Sequence, residues 1–409
     1  MRESIRHVLA PQGHAAADAQ QPITADPSGF AASRPALVLS GGGARAAYHG
    51  GVLAALTERL PEAQFPILTG VSAGAINSAY LAAHPGAFRE AVEALCDEWL
   101  RITPDQVFLL RPASWFSSAA SWSWQVATGR LDGPYEVRGM VDLQPLREFL
   151  AARHDPQRID ANIESGRLRA VAVSATGFRS GRSVSFVHGA PDAPIWERAH
   201  GVAVRARLTV EHLMASAAIP ILFPPVRLEG DWYGDGGVKH TAPLAPAIHL
   251  GARSVVAIGM GAGGGAWPAS PSGSGSYPTV AETLGLLFNS IFLDALEADA
   301  EQLDRVNRLL TALPADAARA HGVRPVDLLM LRPSRDLAEF AAGHVSLLPR
   351  ELQFVVRALG GEREAAATFV SYLLFHRAFT SRLMELGYDD VVAHWPAIES
   401  FFARVERRP

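Results

Sequence analysis

The hydrophobic and polar positions of this chain change rhythm several times, and each change marks an element. Residues 1–34 mix Ala, Gln, Asp, Pro and Ser without a period. Such a stretch buries too little apolar surface to offset the entropy of ordering, and it reads as a flexible N-terminal tail. Ala36-Leu37-Val38-Leu39-Ser40 is then a short apolar run stopped by three glycines, and helical spacing takes over from Ala44 to Leu60. The unit returns at once, with Phe65 to Thr69 as a strand, a turn through Gly70 to Gly74, and a helix from Ala75 to Ala83. Two strand–turn–helix units in succession predict an α/β fold with a mainly parallel sheet covered by helices. Further strands are expected at 168–174, 183–187, 221–228 and 254–258, which takes the sheet to about residue 260, and Arg324 to Leu331 is a candidate for one more.

Between Ile102 and Tyr135 the pattern loosens, and Trp115, Trp122 and Trp124 fall close together. A cap or insertion is expected at about 102–135, with the tryptophans either facing lipid as a lid or packed as core. Residues 261–278 are rich in Gly, Ser and Pro and read as a connection. Thr279-Val280-Ala281-Glu282 then has the form of a capping box, followed by Leu284, Leu287, Phe288, Ile291, Phe292, Ala295 and Leu296 at helical spacing. Helices from about 347 to 386 complete a mainly helical region, 279–409, expected to pack on the domain formed by 35–260. No internal repeat is visible.

Composition narrows the function. The chain has 409 residues, 48% of them hydrophobic, with 37 basic and 41 acidic side chains and a formal charge of −4. That balance gives no broad positive field, so nucleic acid is disfavoured as a partner. Among the basic residues only Lys239 is a lysine, a bias typical of GC-rich bacterial genomes. The single cysteine, Cys96, can form no internal disulfide and reads as packing. The opening residues lack the apolar stretch of a secretory signal, which makes a cytoplasmic location the default, with non-classical secretion left open. The one long uncharged run, Gln64 to Phe88, is interrupted by Pro66, Gly70, Gly74, Asn77 and Pro85, so no spanning helix is expected.

Three short motifs carry chemistry. Gly70-Val71-Ser72-Ala73-Gly74 fits G-x-S-x-G at a point where a strand turns into a helix. Small flanking residues allow a tight turn that projects the Ser72 hydroxyl from the carboxyl end of the sheet, beside the amides that open a helix. An idle serine on a tight turn is the plain alternative. Gly41-Gly42-Gly43-Ala44-Arg45-Ala46 also opens a helix after a strand, and its bare amides can approach an anion such as the oxyanion of acyl transfer. A dinucleotide loop has the same look, but it needs an acidic residue closing the second strand, where this chain has Thr69-Gly70. Asp235-Gly236-Gly237, far along the chain, supplies an acid on a tight turn; alone such a tripeptide is usually only a turn. A serine nucleophile requires a base, and Asp235 is the candidate. No His-Glu-x-x-His and no cysteine cluster suggests a metal, and no cofactor is called for.

Taken together, these segments resemble the patatin-like phospholipases. The resemblance runs in order from Leu37-Val38-Leu39-Ser40-Gly41-Gly42-Gly43-Ala44-Arg45 through Gly50-Gly51-Val52-Leu53 and Gly70-Val71-Ser72-Ala73-Gly74 to Ala215-Ser216-Ala217-Ala218-Ile219-Pro220, Phe223-Pro224-Pro225 and Asp235-Gly236-Gly237. The segments Ser371-Tyr372-Leu373-Leu374-Phe375 and Leu386-Gly387-Tyr388 are similar to C-terminal parts of some bacterial members. The resemblance implies a three-layer α/β/α fold with additional C-terminal helices, and a serine lipid acyl hydrolase acting on phospholipids or related esters. It implies a Ser72–Asp235 dyad working through an acyl-enzyme, with an oxyanion hole at Gly41, Gly42 and Gly43. Arg45 would orient that loop or contact a phosphate. The implied partner is a lipid substrate, met by peripheral contact with a membrane surface; the oligomeric state is not implied. Two positions depart from the pattern: Ala46 stands where the family often has Gly, and His240 where relatives often carry Asn. His240 and His49 therefore stay as candidates for a third catalytic group. The other functional readings are a catalytically silent lipid-binding or scaffold protein on the same fold, and a short-chain esterase or thioesterase.

Overall fold

A computed structural model describes residues 34–109, 141–220, 222–262, 277, 279–312, 314, 323–342, 344–358, 360 and 367–407. The expected tail, the tryptophan cluster and most of the 261–278 connection lie outside the described residues.

The two predicted strand–turn–helix units are present. Strand β1 (Ala36–Leu39) leads through a 3-10 turn at Gly43–Ala46 into α1 (Ala47–Arg59), and β2 (Ile67–Val71) leads into α2 (Ala73–Ala83). Helix α3 (Phe88–Arg101) and the short α4 (Pro104–Val107) follow. Next come α5 (Gln144–Ala151), α6 (Pro156–Glu164), β3 (Ala170–Gly177), β4 (Ser183–Gly189), β5 (Gly201–Arg205) and α7 (Val210–Ser216). A hairpin of β6 (Val226–Leu228) and β7 (Asp231–Asp235) precedes α8 (Ala245–His249) and β8 (Ser254–Ile258). The C-terminal part contains α9 (Val280–Asn289), α10 (Ala295–Ala312), β9 (Asp327–Leu331), α11 (Arg350–Ala358), α12 (Ala367–Leu373), α13 (Arg377–Ala393) and α14 (Trp395–Glu406).

The sheet runs β5-β4-β3-β2-β1-β8-β9, parallel from β3 through β9, with β3–β4 antiparallel. The candidate strand within Arg324 to Leu331 is β9, which adds to β8 as a parallel edge strand and carries the sheet past residue 260. The expected strand at 221–228 shrinks to three residues, since Pro224 and Pro225 have no amide to give to a ladder. The short β5 and β7 were not anticipated as strands. The helices expected from about 347 to 386 are α11, α12 and the first part of α13.

Both faces of the sheet are buried, which explains why its strands read as continuous apolar runs. Leu37, Leu39, Val171, Val173, Val256 and Ile258 point into one core, shared with α1, α2, α3, α5, α7 and the last helices. Their neighbours Ala36, Val38, Ala170, Ala172, Val255 and Ala257 point into a second core under α8 and α10. The result is a three-layer α/β/α arrangement. Helix α9 begins at the predicted box: Thr279 Oγ1 accepts from the Glu282 amide at 3.2 Å, and Glu282 accepts from the Thr279 amide at 2.6 Å. Among the described residues no helix is long and apolar enough to cross a membrane.

The C-terminal helices are held against α1 by backbone approach. A Cβ at Gly51 would lie 1.9 Å from the Met384 carbonyl oxygen of α13, and one at Gly387 would lie 2.6 Å from the Tyr48 carbonyl oxygen. The buried Tyr48 hydroxyl donates to Asp390 Oδ2 at 2.8 Å across the same crossing. A methyl group at position 51 must push the two helices apart. Gly51→Ala is expected to lower the unfolding free energy by about 1–3 kcal/mol, read as a fall in the urea midpoint at unchanged m-value.

Candidate active site

Strand register brings the two distant motifs together. β2 pairs with β3 up to Val71 opposite Ser174, and at the next residue of β3, Ala175, the partner becomes Asp235 of the antiparallel β7. β4 occupies the other edge of β3 throughout, pairing with Ala175 through Val184. β2 and β7 therefore meet end to end along one edge, and the chain leaving Val71 must turn away where Asp235 arrives. Ser72 sits at this corner with φ 55 and ψ −128, a conformation that is costly for a residue with a Cβ. The turn is tight enough that a Cβ at Gly74 would lie 2.2 Å from the Leu39 carbonyl oxygen. Glycine at this position is a requirement of close passage.

Ser216 locks the corner. Its hydroxyl accepts from the Ser72 amide at 2.9 Å and donates to the Ser174 carbonyl at 2.6 Å. Asp235 is anchored as firmly: its amide donates to Ala218 O at 2.8 Å, its carbonyl accepts from Thr176 Oγ1 at 2.8 Å, and its Oδ1 accepts from the Gly237 amide at 2.8 Å. Oδ2 has no hydrogen-bond partner. Both Ser72, 2% exposed, and Asp235, 0% exposed, are buried. Burial pushes the Asp235 carboxyl up to about 7, against the opposing pull of the nearby Ser72 hydroxyl and the Gly237 amide. No hydrogen bond of regular geometry closes between the two side chains.

The glycine loop borders the same corner. A Cβ at Gly41 would lie 3.1 Å from Ser72 Cβ, while Gly42 is turned toward Met260 and Gly43, at φ +54, is pressed against the Tyr372 carbonyl. Gly43 and Ser72 line one pocket. A π-helical turn, Ser290–Asp294, separates α9 from α10 and lays Phe292 over the loop. A Cβ at Gly41 would meet its Cδ1 at 2.7 Å, and one at Gly237 its Cε1 at 2.9 Å.

Arg45 is 1% exposed and turned away from the pocket into the C-terminal helices. Nε donates to Ser371 Oγ at 2.7 Å, Nη1 reaches Asn289 Oδ1 and the Tyr372 hydroxyl at 3.4 Å each, and Nη2 donates to Thr368 O at 3.2 Å. The guanidinium also lies 4.2 Å above the Tyr372 ring. All three nitrogens are engaged within the protein, and they tie the turn before α1 to the C-terminal helices next to the glycine loop.

The histidines are placed elsewhere. His49 Nδ1 meets Asn77 Nδ2 at 3.1 Å, and burial lowers its pKa to about 3. His240 Nδ1 meets Ser183 Oγ at 3.3 Å, and burial lowers its pKa to about 4. Neither hydrogen-bonds to Ser72 or Asp235, and both are neutral at neutral pH. Among the described residues no cluster of three or more His, Cys, Asp or Glu side chains is arranged to hold a metal.

The pocket that starts at Ser72 has a volume of about 890 Å³, counting the open solvent at its mouth. Its walls are Ile76, Leu95, Trp99, Ile102, Leu146 and Leu213 with their neighbours, almost wholly apolar. That apolar lining suits a hydrocarbon ligand. Sequence reasoning passed over Ser216, Phe292 and the partners of Arg45. Ser216 lay within the Ala215–Pro220 segment that carried the family resemblance, but nothing local marks its hydroxyl as the bridge between two strands.

The sequence matches the family model described as patatin-like phospholipase over residues 37–248. No curated protein matches. Among solved structures the chain is similar to VipD from Legionella pneumophila, at 14% identity and a TM-score of 0.33, covering 88% of this chain and 67% of that one. It is similar to human GIVD cytosolic phospholipase A2 in complex with methyl gamma-linolenyl fluorophosphonate, at 13% identity and a TM-score of 0.43, covering 92% and 60%. A third is ExoU from the type III secretion system of Pseudomonas aeruginosa in complex with SpcU, at 15% identity and a TM-score of 0.28, covering 88% and 52%. The chain thus spans about half to two thirds of the length of these structures.

The Ser216 bridge is open to a direct check. Ser216→Ala leaves the Ser72 amide and the Ser174 carbonyl buried and unpaired, which is expected to cost about 1–3 kcal/mol of stability. Thermal unfolding of the variant should show the loss; an unchanged midpoint contradicts the bridging role.

Proposed function

The chain belongs to the patatin-like phospholipase family, and from that premise we propose that it is a serine lipid acyl hydrolase. Ser72 is the nucleophile, Asp235 the base, and the Gly41–Gly43 loop the cradle of the oxyanion. The observation that carries this reading is a buried carboxyl raised to about 7 beside a serine held on a strained corner, at one end of an apolar pocket.

A carboxylate in water is too weak a base to draw a proton from an alcohol at useful rates. Desolvation changes that by bringing the acid's pKa to the working pH, where a general base serves best. Asp235 takes the Ser72 proton as the hydroxyl oxygen attacks the ester carbonyl. The carbonyl oxygen becomes an oxyanion, held by amides fixed in advance by the glycine loop and the start of α2. Collapse releases the alcohol portion of the lipid, which leaves with the proton from Asp235, and the acyl group remains on Ser72. Water then attacks that ester with Asp235 again as base, and the fatty acid departs. The acyl chain lies in the apolar pocket while the rest of the lipid stays toward the membrane surface, which the protein meets peripherally. Arg45 acts as a positioning residue, tying the glycine loop to α12.

An alkyl fluorophosphonate probe should label the wild type and leave Ser72→Ala unlabelled, with Asp235→Asn slower by about 10²–10⁴-fold. A well-folded wild type that neither reacts nor hydrolyses phospholipid would instead be a silent lipid-binding protein. Because the base must be ionised, kcat/KM should rise with pH through an acid limb at about 7. A limb at about 4, the ordinary aspartate value, would remove desolvation from the mechanism.

A further inference from the structure

The pocket is polar only at its ends. Ser72 and the glycine loop close one of them; at the other stand Tyr80, Glu98, Arg153 and His154. Asn77, between the two, has spent its groups on the protein: Oδ1 accepts from Trp99 Nε1 at 3.1 Å, and Nδ2 lies 3.3 Å from Ala46 O and 3.1 Å from His49 Nδ1. The pocket follows α2, where Ala73, Ile76, Asn77 and Tyr80 line one side. From Ser72 to Tyr80 is a little over two helical turns, about 12 Å. The charges of Glu98 and Arg153 act on the Tyr80 phenol, which sets the pair at that end of the pocket. Arg153 Nε binds Glu98 Oε2 at 2.8 Å, its Nη1 reaches Phe149 O at 3.3 Å, and its guanidinium stacks 3.8 Å from the Phe149 ring. The two side chains are 31% and 24% exposed, so the pair is partly hydrated.

We propose that the Glu98–Arg153 ion pair is the specificity-determining stop of the acyl pocket and restricts the enzyme to medium-length acyl chains. The inference rests on the hydrolase reading above and adds to it a substrate class. Within the apolar stretch each further methylene removed from water favours binding by about fourfold. A chain end that reaches the pair gains nothing comparable, because it must displace water from charged groups whose lost hydrogen bonds a methyl cannot replace. The gain per carbon therefore ends where the ion pair begins. Phe149 beneath the guanidinium and the bond from Nη1 to the backbone of α5 hold the stop in place.

The test is kcat/KM for p-nitrophenyl esters from butyryl to palmitoyl in mixed micelles of fixed composition. In the wild type it should climb through octanoyl and be flat or falling before palmitoyl. Glu98→Leu combined with Arg153→Met should prolong the climb and raise the palmitoyl-to-octanoyl ratio by about tenfold, the worth of fewer than two buried methylenes. Glu98→Gln combined with Arg153→Met, which removes both charges with a smaller change of shape and is included in case the first variant fails to fold, should move the ratio in the same direction. An unbroken climb in the wild type, or an unchanged ratio in the folded variants, overturns the stop while leaving the hydrolase reading intact. Absence of Ser72-dependent turnover at every chain length overturns both.

Discussion

One edge of β3 cannot pair with two strands at the same residue. β2 holds that edge as far as Ser174, and β7 takes it from Ala175 onward. The chain leaving β2 is forced into the corner at Ser72, and the strand arriving from the other direction delivers Asp235 to that corner. Residues separated by most of the domain become neighbours because of a sheet register, not because of any affinity between their side chains. The remaining features support this junction: Ser216 fastens the corner to β3, Thr176 and Ala218 fasten the Asp235 backbone, and the C-terminal helices cover it through Phe292 and Arg45.

The junction is bought at the expense of stability. A carboxyl that titrates at about 7 in the folded protein and near its ordinary value when unfolded binds its proton more tightly in the folded state. The group favours folding relative to higher pH while both states are protonated, below about pH 4, and that advantage is lost as pH rises to 7. Above pH 7 the ionised, desolvated acid costs on the order of 4 kcal/mol. The strained Ser72 backbone adds to this. Two apolar cores on opposite faces of the sheet and the close α1–α13 crossing offset these costs.

Much of this was legible from residues. The strands announced themselves because a sheet buried on both faces must be apolar throughout, and the Thr279–Glu282 box marked its helix because capping is local chemistry. Ser72, Asp235 and the glycine loop could be named because tight turns and bare amides restrict residue choice. What depended on long-range packing could not be read. Arg45 looked as suited to a phosphate as to a tether, and its partners on α12 lie more than three hundred residues away in sequence. β7 was too short to show a period, so the strand that carries the acid looked like the approach to a turn. Glu98 and Arg153 are ordinary surface charges in sequence, and their pairing across α3 and the end of α5 gives them a place in the pocket. The π-turn at Ser290–Asp294 interrupts what the hydrophobic spacing presents as one continuous helix.

The account stands on the claim that burial beside Ser72 turns an aspartate into a base matched to neutral pH. The most direct measurement is a carbon-13 NMR titration of the Asp235 carboxyl in protein labelled at aspartate, with the resonance assigned by its loss in Asp235→Asn. A midpoint near 7 is the result predicted. A midpoint near 4, the value of an aspartate in water, would mean that the site does not desolvate its acid and would contradict the mechanism.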